Sequence, residues 1–181
     1  VARDEAGNQT QETREVAVDL GPPQVTIGSP SSGLLTRQTA VTVTGTVVDQ
    51  TQATVTVNGV PASVAWNGNI GAFTATGVPL VEGDNRLLAL ATDTSGRTAT
   101  AEVMVTRDTT PPLVDLVAPD RLRRGENASV TAGVTDSSAI ASVVLRLDGQ
   151  TLGTFAMPPY TASFSVPPGA AIGSDLTLTG V

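Results

Sequence analysis

The sequence contains no cysteine, no histidine and no lysine among its 181 residues. Without cysteine there is no disulfide, no thiol nucleophile and no thiolate metal site. Without histidine the chain lacks the commonest general base and the commonest transition-metal ligand. Without lysine it has no Schiff-base chemistry. Together these gaps argue against most catalytic mechanisms, and we expect a protein that is not an enzyme.

Aromatic and basic side chains are also scarce. Aromatic residues make up 3% of the chain, all ten basic residues are arginine, and the net charge is −7. A nucleic-acid partner would need a basic face for its phosphates, so we expect no nucleic-acid binding. No apolar run approaches the ~20 residues of a membrane span, so we expect no membrane insertion.

Threonine, valine, glycine and proline dominate the sequence and favour strands and turns. Residues Thr39–Val48 alternate, with Val41, Val43, Gly45 and Val47 on one face and threonines on the other, and Asn58-Gly59 is typical of a two-residue hairpin turn. No segment of ten or more residues has a capped helical period. Residues Gln24–Arg107 hold about seven short strands with turn signals every 8–12 residues, which is typical of an immunoglobulin-like β-sandwich.

An internal repeat divides the chain. Residues recur at a spacing of 89 (93 − 4 = 89), in the pairs Asp4/Asp93, Gly7/Gly96, Asp19/Asp108, Pro22/Pro111 and Pro23/Pro112. A period near ninety residues is the size of one sandwich domain. We therefore predict tandem sandwiches at 21–108 and 109–181. The second lacks its final strand, and residues 1–20 form a terminal strand segment that completes a neighbouring domain.

Several motifs resemble those of bacterial immunoglobulin-like domains. The first sandwich carries VNGV at Val57–Val60, PLVEGDN at Pro79–Asn85 and LALATDTSG at Leu88–Gly96. The second carries LRLDGQTLGT at Leu145–Thr154 and PPYTASFSV at Pro158–Val166. The resemblance implies an extracellular or cell-surface location in a bacterium or archaeon, in tandem arrays of adhesins, fibres or the accessory regions of carbohydrate-active enzymes.

The same resemblance implies that the strand ending at Val181 is followed by a sequence motif of the type A-x-D-x-A-G-N. This motif occurs at Ala2–Asn8. We therefore expect other copies of the chain as head-to-tail partners, joined by strand completion. With both Val181 and Val1 at the join, Leu178 and Ala2 fall on opposite faces, which a β-bulge would repair. The predicted contact residues are Val1, Ala2, Asp4, Val16, Val18, Leu176, Leu178 and Val181.

Two functional hypotheses follow. The first is a structural repeat unit of an extracellular filament, stalk or adhesin. The alternative is a non-catalytic accessory or glycan-binding module of a secreted carbohydrate-active enzyme or adhesin. Trp66, beside a turn, is the residue that would present a sugar platform, although corner packing is the favoured role for a single aromatic.

The acidic residues give little further indication of function. The pairs Asp115/Asp120 and Asp4/Glu5 stand in turns or at strand ends, where aspartate is favoured for turn chemistry rather than for hydrolysis. No cofactor is expected apart from one alternative, a structural calcium at domain junctions, although no DxDxD cluster occurs. The carboxylates concerned are Asp4, Asp19, Asp49, Asp93, Asp108 and Asp136.

Overall fold

A computed structural model describes residues 1–14, 21–171, 173 and 176–180. The chain divides into two compact units, Val1–Arg107 (unit 1) and Asp108–Val181 (unit 2). The secondary-structure elements of the described residues are all β-strands, which confirms the prediction of a β-sandwich fold. In the same ranges, no helix has the length and apolar character of a membrane span.

Unit 1 contains eleven strands in its described residues. They are β1 (Ala2–Arg3), β2 (Gln9–Thr10), β3 (Gln24–Ser29), β4 (Leu34–Thr36), β5 (Ala40–Val48), β6 (Thr54–Val57), β7 (Val60–Pro61), β8 (Ser63–Asn67), β9 (Ile70–Pro79), β10 (Gly83–Thr92) and β11 (Thr98–Arg107). One sheet has the order β3-β5-β9-β8 and the other β4-β11-β10-β6-β7. Neighbouring strands are antiparallel except β4, which runs parallel to β11, while β1 and β2 form a separate two-stranded hairpin.

The alternating pattern places one set of side chains between the two sheets. Leu87, Ala89 and Ala91 of β10 are completely buried, as the sequence predicts, and Val103 and Val105 of β11 face the same interior. β6, in the same sheet as β10, adds Val55 and Val57 to this core. The facing sheet completes it with Val25, Val43, Val47, Phe73, Ala75 and Val78.

Because Gly45 of β5 has no side chain, it leaves room for the Thr26 backbone of β3 and the Phe73 ring of β9. A Cβ at this position would overlap the carbonyl oxygen of Thr26 and lie 2.6 Å from the Phe73 ring. The Phe73 ring is 1% exposed and therefore fills the space that a larger residue at position 45 would need.

Unit 2 contains six strands in its described residues. They are β12 (Leu113–Val117), β13 (Asn127–Thr135), β14 (Val143–Leu147), β15 (Gln150–Phe155), β16 (Tyr160–Ser165) and β17 (Leu178–Gly180). They form two three-stranded sheets, β12-β13-β16 and β15-β14-β17, in which all neighbours are antiparallel.

The core of unit 2 is smaller and contains aromatic rings. Val130 and Leu145 are completely buried, and Phe164 faces inward as predicted. Tyr160 follows two prolines, begins β16 and is buried, with its ring edge-on to Phe155 at 6.5 Å between centroids. The pattern of β16 explains this position, because Tyr160, Ala162 and Phe164 alternate with exposed residues.

Candidate functional site

A hollow of about 250 Å³ lies at the end of unit 1 where β3 begins and β5 ends. Three chain segments form it: the residues that lead into β3, the turn after β5, and the turn between β8 and β9. The lining residues are Gly21, Pro22, Gln24, Val48, Asp49, Gln50 and Asn69. The sheet order places these segments together, since β3, β5 and β9 are neighbours.

Asp49 holds the wall of this hollow in place. Its Oδ1 atom accepts hydrogen bonds from the backbone nitrogen of Thr51 at 2.7 Å and from Oγ1 of Thr51 at 2.9 Å. Its own backbone nitrogen donates to the carbonyl of Asn69 at 2.9 Å, which ties the two turns together. The residue is 5% exposed, and its Oδ2 atom is buried without a hydrogen-bond partner.

Unit 2 repeats the same turn after β13. Oδ1 of Asp136 accepts from the backbone nitrogen of Ser138 at 2.8 Å and from its Oγ at 2.7 Å, and Oδ2 is again buried without a partner. The calcium hypothesis includes Asp49 and Asp136 but does not predict the hydrogen bonds that each accepts from the residue two positions later. The signal was present in the sequence as D-x-T at Asp49 and D-x-S at Asp136, each directly after a strand.

The hollow combines polar groups with a small apolar surface. Gln24, Gln50 and Asn69 contribute amide groups to the lining, whereas the Asp49 carboxylate is buried in its own turn. Val48, directly opposite Ile70 in the ladder, borders them and is 41% exposed. A few convergent polar groups beside apolar surface suit a small polar ligand that carries hydroxyl groups.

Trp66 has a packing role. It is half-buried and lies against the core of unit 1. A Cβ added at Gly71 would be 3.1 Å from the Trp66 ring, so the ring covers that glycine. The predicted corner packing is thus what the structure shows, and the sugar-platform alternative has no support from the position of this ring.

Two further aspartates, the half-buried Asp108 and the exposed Asp4, cap turns. Oδ1 of Asp108 accepts from the backbone nitrogen of Thr110 and Oδ2 from Oγ of Ser137, each at 3.0 Å, and these bonds lower the pKa of Asp108 below its ordinary 3.8. The Asn8 side chain and backbone nitrogen likewise lower the pKa of Asp4.

The carboxylates of the calcium hypothesis are dispersed. Among residues 1–14, 21–171, 173 and 176–180, no group of three or more acidic side chains is arranged to hold a metal ion. Asp19 lies outside these ranges.

The predicted contact residues fall in two places. Val1, Ala2 and Asp4 belong to the exposed hairpin of β1 and β2, in unit 1. Leu176 is half-buried just before β17, and Leu178 is the first residue of that strand, in unit 2. The remaining three, Val16, Val18 and Val181, lie outside the described residues. Contact between the two groups stays a prediction.

The strand orders define the class of protein. Each unit is a sandwich of two sheets, antiparallel apart from the β4–β11 pair of unit 1, and the chain contains tandem immunoglobulin-like domains. Residues 23–109 match the family model of glucodextranase domain B, and residues 112–177 match the model of a bacterial immunoglobulin domain. Both models describe modules of larger bacterial proteins, and the family resemblance inferred from the motifs is confirmed.

Among curated proteins, bacillopeptidase F of Bacillus subtilis (strain 168) is 29% identical over 151 residues. The match covers 83% of this chain and 10% of that relative's length, so this chain corresponds to a small part of it.

Among solved structures, the fibronectin(III)-like modules of Clostridium thermocellum CbhA match at 22% identity, with 79% of each chain covered and a TM-score of 0.40. SGBP-B of Bacteroides ovatus, solved with a mixed-linkage heptasaccharide, matches at 16% identity over 85% of this chain and 42% of that one, with a TM-score of 0.30.

Proposed function

We propose that the chain is a non-catalytic accessory region of a larger secreted or surface-attached bacterial protein, in which it spaces or positions other domains. The observation that carries this proposal is the pair of family matches, which together run from residue 23 to residue 177 with a gap of two residues. One of the two is a domain of an enzyme, glucodextranase, and the relative bacillopeptidase F is far longer than this chain.

The architecture suits a spacer. The strand register in unit 1 is continuous over ten residue pairs between β10 and β11, so this sandwich is held by a long ladder. The two residues between the matched regions are Thr110 and Pro111, and Pro112 follows directly, so that two consecutive prolines restrict the backbone here. These features support the accessory role more directly than the filament hypothesis, for which none of the comparisons above offers support.

Enzyme assays test the accessory role. We expect no release of reducing sugar from α-glucans or mixed-linkage glucans and no cleavage of casein by the 181-residue chain. Turnover that remains after repeated purification and is lost after Asp49→Asn or Asp115→Asn, two carboxylate substitutions, would refute it.

A second candidate function is weak binding of a glycan in the hollow of unit 1. It is supported by the presence of Gln24, Gln50 and Asn69 together in the lining, because amide groups match the donors and acceptors of sugar hydroxyls. The absence of an aromatic platform at this place predicts low affinity.

Titration with gluco-oligosaccharides, followed by NMR, tests this candidate. We expect shifts of the side-chain amides of Gln24, Gln50 and Asn69, and at least ~5-fold weaker binding for Asn69→Ala, which removes about one hydrogen bond. Asn67→Ala is the matched control, because Asn67 belongs to the same turn and does not line the hollow. Equal effects of the two variants would place the ligand elsewhere.

A further inference from the structure

Asparagine followed by glycine occurs twice in the chain, at Asn58-Gly59 and at Asn67-Gly68. Such a pair is chemically labile, because the backbone nitrogen of the glycine can attack the side-chain carbonyl carbon of the asparagine and the glycine has no side chain to hinder the approach. Both pairs stand at hairpin turns of unit 1, the first between β6 and β7 and the second between β8 and β9. The reacting groups are the same at both places, so the fold decides which pair reacts.

The fold restrains Asn58. Its φ of 46° and the φ of 83° at Gly59 are typical of a type I′ turn, in which the asparagine is one of the two central residues. Both polar atoms of its amide are bonded to β10, Oδ1 to the backbone nitrogen of Leu88 and Nδ2 to the carbonyl of Arg86. Ring closure would bring Cγ of Asn58 to the Gly59 nitrogen and displace both amide atoms from these partners.

Asn67 lacks this restraint. It is the exposed last residue of β8, and its pairing with Ile70 leaves Gly68 and Asn69 as the two turn residues. Within the part of the chain that the structure describes, neither the Asn67 side chain nor the backbone nitrogen of Gly68 takes part in a hydrogen bond. The two groups that would join are therefore both available at this turn.

The remaining positions of related chemistry are hindered or held. Asn69 precedes Ile70, whose branched side chain crowds the attacking nitrogen. The one Asp-Gly pair of the sequence, Asp148-Gly149, forms the corresponding turn of unit 2, and Oδ1 of Asp148 accepts from the backbone nitrogen of Thr177. Asn67 thus combines a glycine neighbour with an unrestrained amide.

We propose that Asn67 is a site of spontaneous modification, at which the side-chain amide becomes a carboxylate while the chain is folded. The Gly68 nitrogen forms a bond to Cγ of Asn67, the bond from Cγ to Nδ2 breaks, and the proton of the Gly68 nitrogen leaves with Nδ2 as ammonia. The product is a five-membered cyclic imide that contains the Gly68 nitrogen.

Water then opens the imide. Cleavage of the bond between the Gly68 nitrogen and Cγ gives aspartate, whereas cleavage of the bond between that nitrogen and the main-chain carbonyl carbon of residue 67 gives isoaspartate, whose main chain runs through Cβ and Cγ. The sum of the steps is an amide plus water giving a carboxylic acid plus ammonia. Water is the only co-reactant, and no electrons are exchanged.

The conversion changes the turn that borders the hollow of unit 1. Asn69 lines the hollow, and its carbonyl accepts from the backbone nitrogen of Asp49 at 2.9 Å. The new carboxylate adds a negative charge two residues before Asn69, and isoaspartate lengthens the backbone of the turn by one carbon. We therefore expect the amide resonances of Asp49 and Asn69 to shift in the modified chain, whether or not the hollow binds a glycan.

Ageing of the folded chain in mildly alkaline buffer, followed by peptide mass spectrometry, tests the proposal. Trypsin cleaves after Arg37 and Arg86, so Asn58 and Asn67 remain in one peptide, and fragment ions formed by cleavage between them assign the acid to either residue. A sample digested without ageing corrects for conversion during preparation. We expect Asn67 to convert at least ~10-fold faster than Asn58, because only Asn58 must break two hydrogen bonds. Equal rates, or an Asn67 that stays unconverted, overturn the proposal.

The chain unfolded in urea is the control for local sequence. Without the fold, the hydrogen bonds from Asn58 to β10 are lost, and the two pairs should convert at similar rates. A preference for Asn67 that persists in urea would show that the flanking residues select the site, which contradicts the role assigned to these hydrogen bonds.

Two variants locate the reaction in the intact protein. Asn67→Gln should abolish the acidic form that ion-exchange chromatography resolves after ageing, because the longer side chain would have to close a six-membered ring. Asn69→Gln is the matched control, since Asn69 lies in the same turn and precedes Ile70, and its acidic form should persist. An acidic form that is retained by Asn67→Gln and lost in Asn69→Gln would move the site to Asn69 and refute the assignment to Asn67.

Discussion

The Asn58 side chain joins the hairpin turn of β6 and β7 to Leu88 of β10. Its Oδ1 atom accepts from the backbone nitrogen of Leu88 at 2.8 Å, and its Nδ2 group donates to the carbonyl of Arg86 at 2.9 Å. In unit 2, Oδ1 of Asp148 accepts from the backbone nitrogen of Thr177 at 2.8 Å. One side-chain acceptor in the hairpin turn thus holds the adjacent strand in both domains.

Removal of this contact should destabilise unit 1. Asn58→Ala deletes two hydrogen bonds and places alanine at a φ of 46°, so we expect a loss of about 1–3 kcal/mol in the free energy of unfolding. Asn58→Asp keeps the acceptor, as Asp148 does, and should lose less. Urea unfolding followed by the fluorescence of Trp66, the one tryptophan of the chain, measures the effect in unit 1. Equal losses for the two variants would contradict the role of Oδ1.

A side chain at Gly45 should be damaging. Gly45→Ala directs a methyl group into the Thr26 carbonyl and the Phe73 ring, and we expect a loss of about 3 kcal/mol or more by urea unfolding. Gly28→Ala is the control, because its nearest neighbour, the Thr44 carbonyl, would be 3.8 Å from the new Cβ. A small effect at Gly45 would show that β3 and β5 can separate locally without cost.

The Asp49 turn should respond differently to two substitutions. Asp49→Ala removes the acceptor for both Thr51 donors and should cost about 1–3 kcal/mol of unit 1 stability. Asp49→Asn keeps an oxygen acceptor and replaces the unpartnered, buried Oδ2 with a neutral amide, so its cost should be smaller. Chemical unfolding at neutral pH compares them. A larger loss for the asparagine variant would mean that the charge itself is needed.

The carboxyl group of Asp108 should titrate below 3.8 in the folded chain, because Thr110 and Ser137 donate to its charged form. A folded-state pKa below the unfolded value means that this group stabilises the fold above about pH 3.8, and that the contribution is lost as pH falls through the lower folded pKa. NMR titration of the side-chain carboxyl carbon gives the midpoint.

Ser137→Ala should raise the Asp108 midpoint toward 3.8, whereas Ser129→Ala, at an exposed position of β13, should leave it unchanged. An unchanged midpoint in Ser137→Ala would show that the hydrogen bonds from Thr110 and Ser138 hold the pKa down without Ser137.

Much of the fold is predictable from local patterns. The alternation in Thr39–Val48 and in β10 predicts which residues face the core, because successive side chains of a strand point to opposite faces. The same alternation predicts that Phe73 and Phe164 face the core, and both are buried. It does not predict the burial of Tyr160, because the adjacent prolines resemble a corner and conceal the start of β16.

The candidate site was much less predictable. Gln24, Gln50 and Asn69 are far apart in the sequence, and polar residues in turns carry no signal of a shared hollow. They come together because β3, β5 and β9 are adjacent. The start of β3, the end of β5 and the start of β9 lie at the same end of the sheet, which is a consequence of sheet order.

The sequence by itself determined the strand-and-turn pattern, the 89-residue repeat and the absence of cysteine, histidine and lysine chemistry, since each depends on residue type and spacing alone. Only the tertiary structure decided that Asp4 and Asp93 form the same turn, and that Ala2 is exposed whereas Ala91 is buried. It also decided that Val114 is half-buried where Val25 is buried. Burial depends on which strands lie across the sandwich, and that is a property of long-range packing rather than of local sequence.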